Sequence, residues 1–307
     1  MSQRTRLPSE SRQVPKSPSE GCLEVPGATL RYRQEGQGPA VLVVGSSVYY
    51  PRTFSPGLRS ACRLICMDLR HFAQGHGNGL SGTITLETYC EDIEAMRVEL
   101  GLERFVLMGH SHHGNVALEY AKRYPGRVSR LVLIGTPPCD VSRTLEAGKR
   151  YWDVNASGVR KAVLEKNHVL LGEAAQTSLS PGAAFVARYV AEGPRFWYDP
   201  HYDASSLWKG VPIDTEAFTA FRNFFVDYRF YWRLEDLSAP MLVVMGRHDY
   251  VVPPALWESR LPDLPPVTYR LFERSGHTPQ LEEPEAFARL LLEWLGRDEP
   301  QKGASPS

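Results

Sequence analysis

The sequence lacks any long apolar run and any excess of one charge. No stretch approaches the roughly 18 consecutive apolar residues of a membrane-spanning helix, so we expect no membrane span. The 35 basic and 35 acidic residues cancel, and this balance argues against nucleic acid or an anionic membrane as a partner. The opening residues, MSQRTRLPSESRQVPKSPSE, hold no apolar segment of the kind found in secretory signals.

The cysteines are too few and too scattered for a disulfide framework or a metal-binding motif. Cys22, Cys62, Cys66, Cys90 and Cys139 are odd in number, and no pair has the spacing of a metal site. This cysteine usage is typical of a reducing compartment, so we expect a cytoplasmic protein.

What the sequence does contain is enough apolar material for a large buried core. Hydrophobic residues make up 42% and aromatic residues 10% of the 307 residues, which suits one large domain or two small ones. The polar, serine- and proline-rich residues 1–20 are expected to be disordered, and the tail at 298–307 is expected to be flexible.

Short apolar runs alternate with helical patterns through the first part of the chain. AVLVVG at 40–45, RLICMD at 63–68 and RLVLIG at 130–135 are typical of strands buried on both faces of a parallel sheet. Between them, LETYCEDIEAMRVELG at 86–101 repeats its apolar residues at helical spacing, with Thr85 as a candidate cap. The alternation predicts an α/β fold with a mostly parallel central sheet covered by helices.

The strand pattern stops after Gly135 and resumes at Pro240. Residues 137–236 contain helical patterns and an aromatic block, RFWYDPHYDASSLW, but no run typical of a buried strand. PMLVVMG and VTYRLF then continue the sheet, and PEAFARLLLEWLG closes as an amphipathic helix. We therefore predict a core of residues 21–136 and 237–297, interrupted by a helical insertion at 137–236.

A serine, an aspartate and a histidine each follow a predicted strand. Ser111 follows RFVLMGH, Asp249 follows PMLVVMGRH, and His277 lies in the loop ERSGH after VTYRLF. Because function collects outside the carboxyl ends of the strands in an open parallel sheet, we expect these side chains to meet. A nucleophilic serine needs a base, and the base needs an acid that orients it and stabilises its cation. The order therefore predicts a triad of Ser111, His277 and Asp249.

Four segments give the chain its resemblance to a cap-bearing α/β-hydrolase, over about residues 22–297. MDLRHFAQG resembles the family's D-x-R-G loop, and GHSHHG resembles its nucleophile elbow, G-x-S-x-G. GRHDYVVP resembles the acid loop, and SGHTPQLEEPEAF resembles the base loop, with Glu283 and Pro284 downstream of the histidine. The resemblance implies an α/β-hydrolase fold with a helical cap, a serine hydrolase that forms an acyl-enzyme intermediate, and no cofactor.

Two positions depart from these motifs. His113 stands where the elbow usually has its second glycine, and His71 stands where the D-x-R-G loop has its glycine. Small residues at an elbow let the helix approach the strand, so we expect His113 to find room on the far side of the helix. The resemblance implies that the oxyanion donors are the backbone N–H groups of His112 and Ser47, with Val48 as the alternative.

The residues around the nucleophile have other interpretations. His110, His112 and His113 could bind a metal, but neighbouring residues on a turn point in different directions, and no carboxylate or cysteine completes the set. We therefore predict no metal site. Ser111 and Asp249 could instead be ordinary helix caps, an alternative that the complete set of three triad residues makes less favourable.

Aromatic residues on two sides of the serine are the candidates for substrate contact. Tyr49 and Tyr50 lie in the predicted oxyanion loop, and Trp197, Tyr198 and Trp208 lie in the aromatic block of the insertion. The aromatic residues of the insertion could equally form its own core, since helices must bury something. A lining of this kind favours a compact substrate with an apolar or aromatic part over a long-chain lipid.

Hydrolysis of a small ester or amide is the predicted function. The alternative is an enzyme resembling the prolyl aminopeptidases, which hold the free amine of the substrate with cap carboxylates; the candidates here are Asp199, Asp203 and Glu216. Carbon–carbon bond hydrolysis, lactone opening, acyl transfer, cofactor-independent oxygen chemistry and a non-catalytic binding protein stay open. The expected partner is a small-molecule substrate, and a homodimer stays open.

Overall fold

The computed structural model describes residues 18–73, 84–174, 179–229, 237–264 and 267–296. Most of the N-terminal segment predicted to be disordered and the whole of the C-terminal tail lie outside these ranges. Ser19 and Glu20 are inside them and belong to a strand, so the predicted end of the disordered segment at residue 20 is too late.

In the described residues, eight strands form one sheet at the centre of the molecule. They are β1 (Ser19–Val25), β2 (Ala28–Glu35), β3 (Ala40–Gly45), β4 (Arg63–Asp68), β5 (Phe105–His110), β6 (Val128–Ile134), β7 (Met241–Gly246) and β8 (Thr268–Phe272). Their order across the sheet is β1-β2-β4-β3-β5-β6-β7-β8. The pairs β1–β2 and β2–β4 are antiparallel and the others are parallel, which confirms the mostly parallel sheet.

Both faces of this sheet are buried, because successive residues of a strand point to opposite faces. In β3, Leu42 and Val44 belong to one apolar cluster, and Val41 and Val43 belong to the other. A strand that is buried on both faces has no polar face to present. This is why the central strands appear in the sequence as continuous apolar runs.

Twelve helices accompany the sheet in the described residues. They are α1 (Pro56–Ala61), α2 (Leu86–Glu99), α3 (His112–Arg123), α4 (Val141–Asn155), α5 (Gly158–Ala174), α6 (Pro181–Ala191), α7 (Gly193–Phe196), α8 (Ser205–Trp208), α9 (Thr215–Asn223), α10 (Ala255–Glu258), α11 (Pro279–Glu282) and α12 (Pro284–Leu295). None of them is long and apolar enough to cross a membrane. Thr85 caps α2 by accepting the Thr88 N–H at 3.2 Å, as the sequence predicts.

The helices α4 to α9 all lie between β6 and β7 in the chain, and the described residues of this segment contain no strand. The segment packs onto loops at the carboxyl edge of the sheet. The Asp214 N–H, at the start of α9, donates to the His71 carbonyl after β4 at 3.0 Å, and the Phe196 carbonyl accepts the His277 N–H after β8 at 2.6 Å. The helical segment therefore contacts the loops in which the sequence places its candidate catalytic residues.

Candidate active site

Ser111 lies at the turn between β5 and α3 and has a strained backbone. Its φ of 55° and ψ of −137° make it the one non-glycine residue with a positive φ in the described ranges. Such a conformation persists only where the surrounding structure holds it. Here the Ser111 N–H donates to the Ile134 carbonyl at 2.8 Å, and its carbonyl accepts the Gly114 N–H at 2.9 Å. The Ser111 side chain makes no capping hydrogen bond, so an ordinary helix cap does not explain it.

The strand and the helix approach each other most closely at two glycines. A Cβ atom on Gly109 would lie 2.5 Å from the Cα atom of Gly114, and a Cβ atom on Gly114 would lie 1.9 Å from Oγ1 of Thr136. The close approach therefore falls one residue beyond the position that the family motif reserves for glycine. This explains how the elbow accommodates His113.

The His113 side chain does not lie on the far side of the helix, and that prediction is wrong. It is enclosed between α3 and the loops that follow β3 and β4. Its Nδ1 lies 2.8 Å from the Tyr50 hydroxyl, and its Nε2 lies 3.1 Å from Nε2 of His71. The rings of His71 and His113 are stacked with centroids 5.2 Å apart. The two departures from the family motifs therefore contact each other.

His277 is held at three of its polar atoms. Its Nδ1 lies 2.6 Å from Oδ2 of Asp249, its N–H donates to the Phe196 carbonyl at 2.6 Å, and its carbonyl accepts from Nε2 of His110 at 2.8 Å. In the part of the chain that the structure describes, its Nε2 has no hydrogen-bond partner. The His277 ring lies 4.6 Å from the ring of His110, which places it beside the turn that carries Ser111.

Asp249 is completely buried, and both of its oxygens accept hydrogen bonds. Its Oδ2 faces His277, and its Oδ1 accepts the N–H groups of Val251 at 2.9 Å and Val252 at 2.7 Å. The next helix begins at Ala255, with Pro254 as its cap residue, so Asp249 is not the cap of that helix. The backbone bonds fix the direction in which the carboxylate faces the imidazole.

Glu282 also holds the His277 loop, and the sequence analysis missed it. Its Oε1 accepts the N–H groups of Gly276 at 3.0 Å and Thr278 at 3.1 Å, one on each side of His277. Its Oε2 accepts the Tyr198 N–H from the helical segment at 2.6 Å. Burial raises the pKa of Glu282 to about 7, while the three N–H groups act in the opposite direction.

The resemblance to the base loop pointed instead to the neighbouring carboxylate, Glu283. Its Oε2 accepts the Arg274 N–H at 2.9 Å and the Ser275 hydroxyl at 2.8 Å, so it holds the start of the same loop. The motif HTPQLEEP was the available signal, but two adjacent glutamates in a sequence do not reveal which of them turns toward the histidine.

Arg160 of α5 fixes the part of the helical segment that contacts this loop. Its Nη1 donates to the carbonyls of Pro194 and Trp197, each at 2.7 Å, and its Nη2 donates to the carbonyl of Tyr198. Arg160 is buried, and this burial lowers its pKa. Residues 194–198 are thereby held between a guanidinium on one side and the base loop on the other.

The loop after β3 corrects the predicted oxyanion hole. The Ser47 N–H donates to Oδ1 of the buried Asp68 at 2.6 Å, so this N–H is not free to donate to an oxyanion. The Val48 N–H donates to Oγ of Ser46 at 3.2 Å, a long bond to an oxygen that also accepts the Tyr49 N–H at 3.1 Å. The His112 N–H lies at the first position of α3, where an N–H has no acceptor within the helix.

The three histidines of the elbow do not converge on one point. The His112 ring stacks on Phe225 at 4.5 Å, and its Nδ1 lies 3.1 Å from Oδ1 of Asn115. His110 and His113 both turn toward Tyr50. Burial lowers the pKa of His110 to about 3 and that of His112 to about 4. No group of three ligating side chains in the described residues is placed to hold a metal.

Three of the five residues predicted to contact substrate have other surroundings in the structure. Trp197 is only 1% exposed and packs on Tyr202 at 4.7 Å, so it belongs to the core of the helical segment. Tyr198 is 43% exposed and packs against His248 at 4.9 Å, on the outer surface. Tyr50 is buried, and its hydroxyl lies within hydrogen-bond distance of Nδ1 of His113. The pattern of aromatic letters could not separate a core residue from one that lines a pocket.

The other two predicted contacts belong to a continuous row of aromatic rings. The ring of Tyr49 lies 4.8 Å from that of Trp208, and Trp208 lies 5.0 Å from Tyr189. Tyr189 continues to Phe196 at 4.6 Å, and Phe196 lies 5.5 Å from the His277 ring. We call Tyr49, Trp208, Tyr189 and Phe196 the aromatic wall. It runs from the loop after β3 to the histidine.

The carboxylates predicted to hold a substrate amine are all exposed. Asp199 accepts the His201 N–H at 2.9 Å, and Asp203 accepts the Ser205 N–H at 2.9 Å, so both act within local turns. Glu216 lies in the first turn of α9. None of these three carboxylates is enclosed where it would be the partner of a buried ammonium group.

Comparison with known proteins agrees with this architecture. The model of the alpha/beta hydrolase fold family matches residues 38–284. AB hydrolase superfamily protein YclE of Bacillus subtilis (strain 168) is 35% identical over 280 residues, covering 90% of this chain and 98% of that protein. Proline iminopeptidase of Clostridioides difficile (strain 630) is 24% identical, covering 92% and 99%. The solved structure of an esterase from Exiguobacterium antarcticum shares the fold, with a TM-score of 0.65 and 19% identity, covering 89% and 97%.

Proposed function

The chain belongs to the α/β-hydrolase fold family and is a hydrolase, and from this premise we propose that it cleaves small carboxylic esters or amides with Ser111 as its nucleophile. His277 acts as the base and Asp249 as the acid that orients it. The observation that carries this proposal is the way His277 is held. Its Nδ1 faces a completely buried carboxylate at 2.6 Å, its Nε2 has no hydrogen-bond partner in the described residues, and its ring packs against that of His110, the residue before the strained serine.

In the first half of the reaction, Oγ of Ser111 attacks the carbonyl carbon of the substrate while Nε2 of His277 takes the hydroxyl proton. The carbonyl electron pair moves to the oxygen, and the carboxylate of Asp249 stabilises the imidazolium. The intermediate then collapses, and the leaving alcohol or amine takes the proton from His277. A serine ester of the acyl group remains on the enzyme.

In the second half, a water molecule replaces the leaving group. His277 takes a proton from the water, the hydroxide attacks the acyl carbon, and the serine oxygen leaves with the proton that the histidine returns. The products are a carboxylic acid and free enzyme. No atom or electron is needed beyond substrate and water, so the proposal requires no cofactor.

The oxyanion is proposed to bind two backbone N–H groups. The first is that of His112, which lies at the amino end of a helix of 12 residues, where the helix dipole favours negative charge. The second is that of Val48, which would exchange its long 3.2 Å bond to the Ser46 hydroxyl for a bond to the charged oxyanion. Ser47 is not proposed, because its N–H already donates to Asp68.

The helical segment between β6 and β7 is proposed to act as a cap over the serine. It supplies Trp208, Tyr189 and Phe196 of the aromatic wall, while Tyr49 comes from the loop after β3. Aromatic rings bury large apolar areas, and an enclosed lining suits a ligand that is largely apolar and compact. We therefore propose a short acyl or aromatic ester as the substrate class.

An aminopeptidase is less well supported. Such an enzyme needs a carboxylate to accompany the buried ammonium group of its substrate, and Asp199, Asp203 and Glu216 are exposed. The enclosed carboxylate of Glu282 already accepts three backbone N–H groups. The similarity to a proline iminopeptidase is therefore not matched by a free carboxylate that the described residues would offer to an amine.

The proposal is tested with a panel of p-nitrophenyl esters of increasing acyl length beside prolyl and alanyl p-nitroanilides. We expect turnover of the short esters, a decline with acyl length, and much slower release from the aminoacyl anilides. Replacement of the nucleophile, Ser111→Ala, should lower kcat by at least about 10³-fold. Faster cleavage of the aminoacyl anilides than of the esters would instead support the peptidase.

Labelling with a fluorophosphonate gives an independent measurement. Wild-type protein should be labelled at Ser111, and Ser111→Ala should not be labelled. The matched control is Ser60→Ala, which removes an exposed hydroxyl at the end of α1 and should label and turn over like the wild type. Equal labelling of Ser111→Ala and wild type would rule out Ser111 as the nucleophile.

A further inference from the structure

A row of five side chains, four of them buried and His113 half-buried, connects the helix α2 to the carbonyl of His277. Each neighbour in the row lies within hydrogen-bond distance of the next. We call it the histidine–tyrosine chain, and in order it consists of Tyr89, His71, His113, Tyr50 and His110. Two of its members, His71 and His113, are the residues that replace the glycines of the family motifs. The proposed reaction uses none of the five side chains directly.

The distances along the chain are those of hydrogen bonds between rings and hydroxyls. The Tyr89 hydroxyl lies 2.9 Å from Nδ1 of His71, whose Nε2 lies 3.1 Å from Nε2 of His113. Nδ1 of His113 lies 2.8 Å from the Tyr50 hydroxyl, which is also 3.3 Å from Nδ1 of His110. All these contacts are between groups that can either donate or accept, so their direction must be derived.

The end at His277 decides the direction. A carbonyl oxygen only accepts, so Nε2 of His110 must carry the proton in its 2.8 Å bond to the His277 carbonyl. Burial lowers the pKa of His110 to about 3, so the ring is neutral near pH 7 and its Nδ1 has only a lone pair. The Tyr50 hydroxyl must then donate to this Nδ1.

The remaining protons follow one after another. Since the Tyr50 proton is used on His110, the Tyr50 oxygen accepts from Nδ1–H of His113. A neutral His113 then has a lone pair at Nε2, which accepts from Nε2–H of His71, and burial lowers the pKa of both rings. The lone pair at Nδ1 of His71 finally accepts the Tyr89 proton. Each donor in the row has one acceptor.

The opposite direction leaves two groups unpaired. If Tyr50 donated to His113, then His113 would donate to His71 and His71 would donate to the Tyr89 oxygen. The Tyr89 proton and the lone pair at Nδ1 of His110 would then have no partner within the described residues. Buried polar groups without partners cost free energy, so the first direction is favoured.

We propose that the histidine–tyrosine chain is a positioning device in which all proton donors point the same way and the last one fixes the backbone of His277. The role in catalysis rests on the proposed function of His277 as the base. The chain holds the carbonyl of the histidine, while Phe196 holds its N–H and Asp249 holds its Nδ1. His277 is thereby held at two backbone atoms and at one ring nitrogen. A small displacement of a base lowers the reaction rate substantially.

The direction of the chain can be tested without any substrate. Long-range ¹H–¹⁵N spectra of the wild-type protein, labelled with ¹⁵N-histidine, distinguish a protonated ring nitrogen from an unprotonated one. At pH 7.5 we expect a proton on Nε2 of His110, on Nδ1 of His113 and on Nε2 of His71. Signals are assigned through single His→Gln variants. A proton on Nε2 of His113, or a charged ring at any of the three, would overturn the proposed direction.

The positioning role is tested with Tyr50→Phe, which removes the donor to His110 and keeps the ring. We expect kcat for a short p-nitrophenyl ester to fall roughly tenfold, with KM changed less than about twofold and the melting temperature within a few degrees of wild type. The matched control is Tyr120→Phe, which removes another buried hydroxyl, bonded to Glu94 at 2.7 Å, and should keep its kcat.

The outcomes separate the two proposals. If Tyr50→Phe folds and keeps the kcat of Tyr120→Phe, the positioning role is wrong even if the tautomers are as derived. A fall in kcat/KM that comes from KM alone would also overturn it, because that result indicates contact with substrate. If the wild type hydrolyses no ester at all, the proposed function fails, while the tautomers still decide the direction of the chain.

Discussion

Two loops at the carboxyl edge of the sheet carry the proposed reacting side chains, and they are held by different chemistry. In the base loop, the imidazole of His277 donates to Asp249 of the acid loop, and Glu282 accepts backbone N–H groups on both sides of His277. In the elbow, Ser111 is held by two backbone hydrogen bonds and by close approach at glycine, and its neighbours His110 and His113 belong to the neutral histidine–tyrosine chain.

The difference follows the charge that the proposed reaction would develop. His277 would become a cation in both halves of the reaction, and a buried carboxylate beside it stabilises that cation. The oxygen of the substrate would become negative next to Ser111, where a carboxylate would oppose it. Neutral imidazoles supply hydrogen bonds at the elbow without adding a charge. The comparison therefore predicts that the base loop depends on carboxyl groups and the elbow on tautomers and packing.

The largest effect is expected from Asp249, the carboxylate of the acid loop, which faces the base His277. Asp249→Asn keeps the shape of the side chain but removes its charge and replaces one carboxylate oxygen by an NH₂ group. Because this group donates and does not accept, it disfavours the tautomer with a proton on Nδ1 of His277. We expect kcat for the best ester to fall by about 10⁴-fold, measured by steady-state kinetics. The control is Asp153→Asn, an exposed residue of α4. A loss of less than tenfold in Asp249→Asn would contradict the dependence on charge.

Glu282→Gln should have the next largest effect. An amide offers one acceptor oxygen where the carboxylate offers two, so it cannot satisfy Tyr198 together with the two N–H groups of the base loop. We expect a drop in kcat of about 10- to 30-fold with little change in KM. Glu285→Gln, three residues further on and exposed, is the matched control. Equal kcat values in the two variants would show that Glu282 does not position the base.

The stability contributions of Glu282 in the base loop and of His71 in the histidine–tyrosine chain should change with pH in opposite directions. Burial raises the pKa of Glu282 to about 7, so its contribution to stability is full below its unfolded pKa of about 4.5 and is lost as pH rises through 7. Burial lowers the pKa of His71 to about 3, so its contribution is present above an unfolded pKa of about 6.5 and is lost as pH falls.

Urea unfolding between pH 4 and pH 8 measures this contrast. The free energy of unfolding of wild type minus that of Glu282→Gln should fall by roughly 2 kcal/mol as pH rises, after allowance for partial exposure. The same difference for His71→Phe should instead fall as pH decreases below about 6.5. Two slopes of the same sign would mean that the loops are not held by the opposite chemistry described above.

The sequence predicted the sheet better than it predicted the site. Buried parallel strands need apolar side chains on both faces, so β3 and β5 could be found from their letters. The edge strand β1 has one neighbour and the sequence SEGCLEV, in which only Leu23 and Val25 are apolar apart from a cysteine. A strand that buries its apolar side chains Leu23 and Val25 only in part leaves a weak alternating signal, and it was missed.

The sequence could predict only those site residues whose position in space follows from their position after a strand. Ser111, Asp249 and His277 each follow a strand, and topology alone brings them to one edge. The contact of His71 with His113 joins residues 42 positions apart, and no local pattern predicts it. The same limit explains Ser47, because its N–H is taken by Asp68 of a neighbouring strand.

The smallest effect is expected at the contact between His71 and His113. It tests whether neutral rings stabilise the elbow. His71→Ala and His113→Ala should each destabilise the fold, because each leaves a cavity and an unpaired nitrogen on the remaining ring. The double variant leaves no unpaired ring between them, so its cost should be smaller than the sum of the two by about 1 kcal/mol. The comparison cycle joins His71→Ala with Tyr120→Phe, whose hydroxyl bonds Glu94 and not His71, and there the costs should add. Additive costs for the two histidines, measured by urea unfolding at pH 7.5, would mean that the two rings do not stabilise each other. A clear coupling would mean instead that the elbow tolerates a histidine only because the loop after β4 supplies the ring on which it rests.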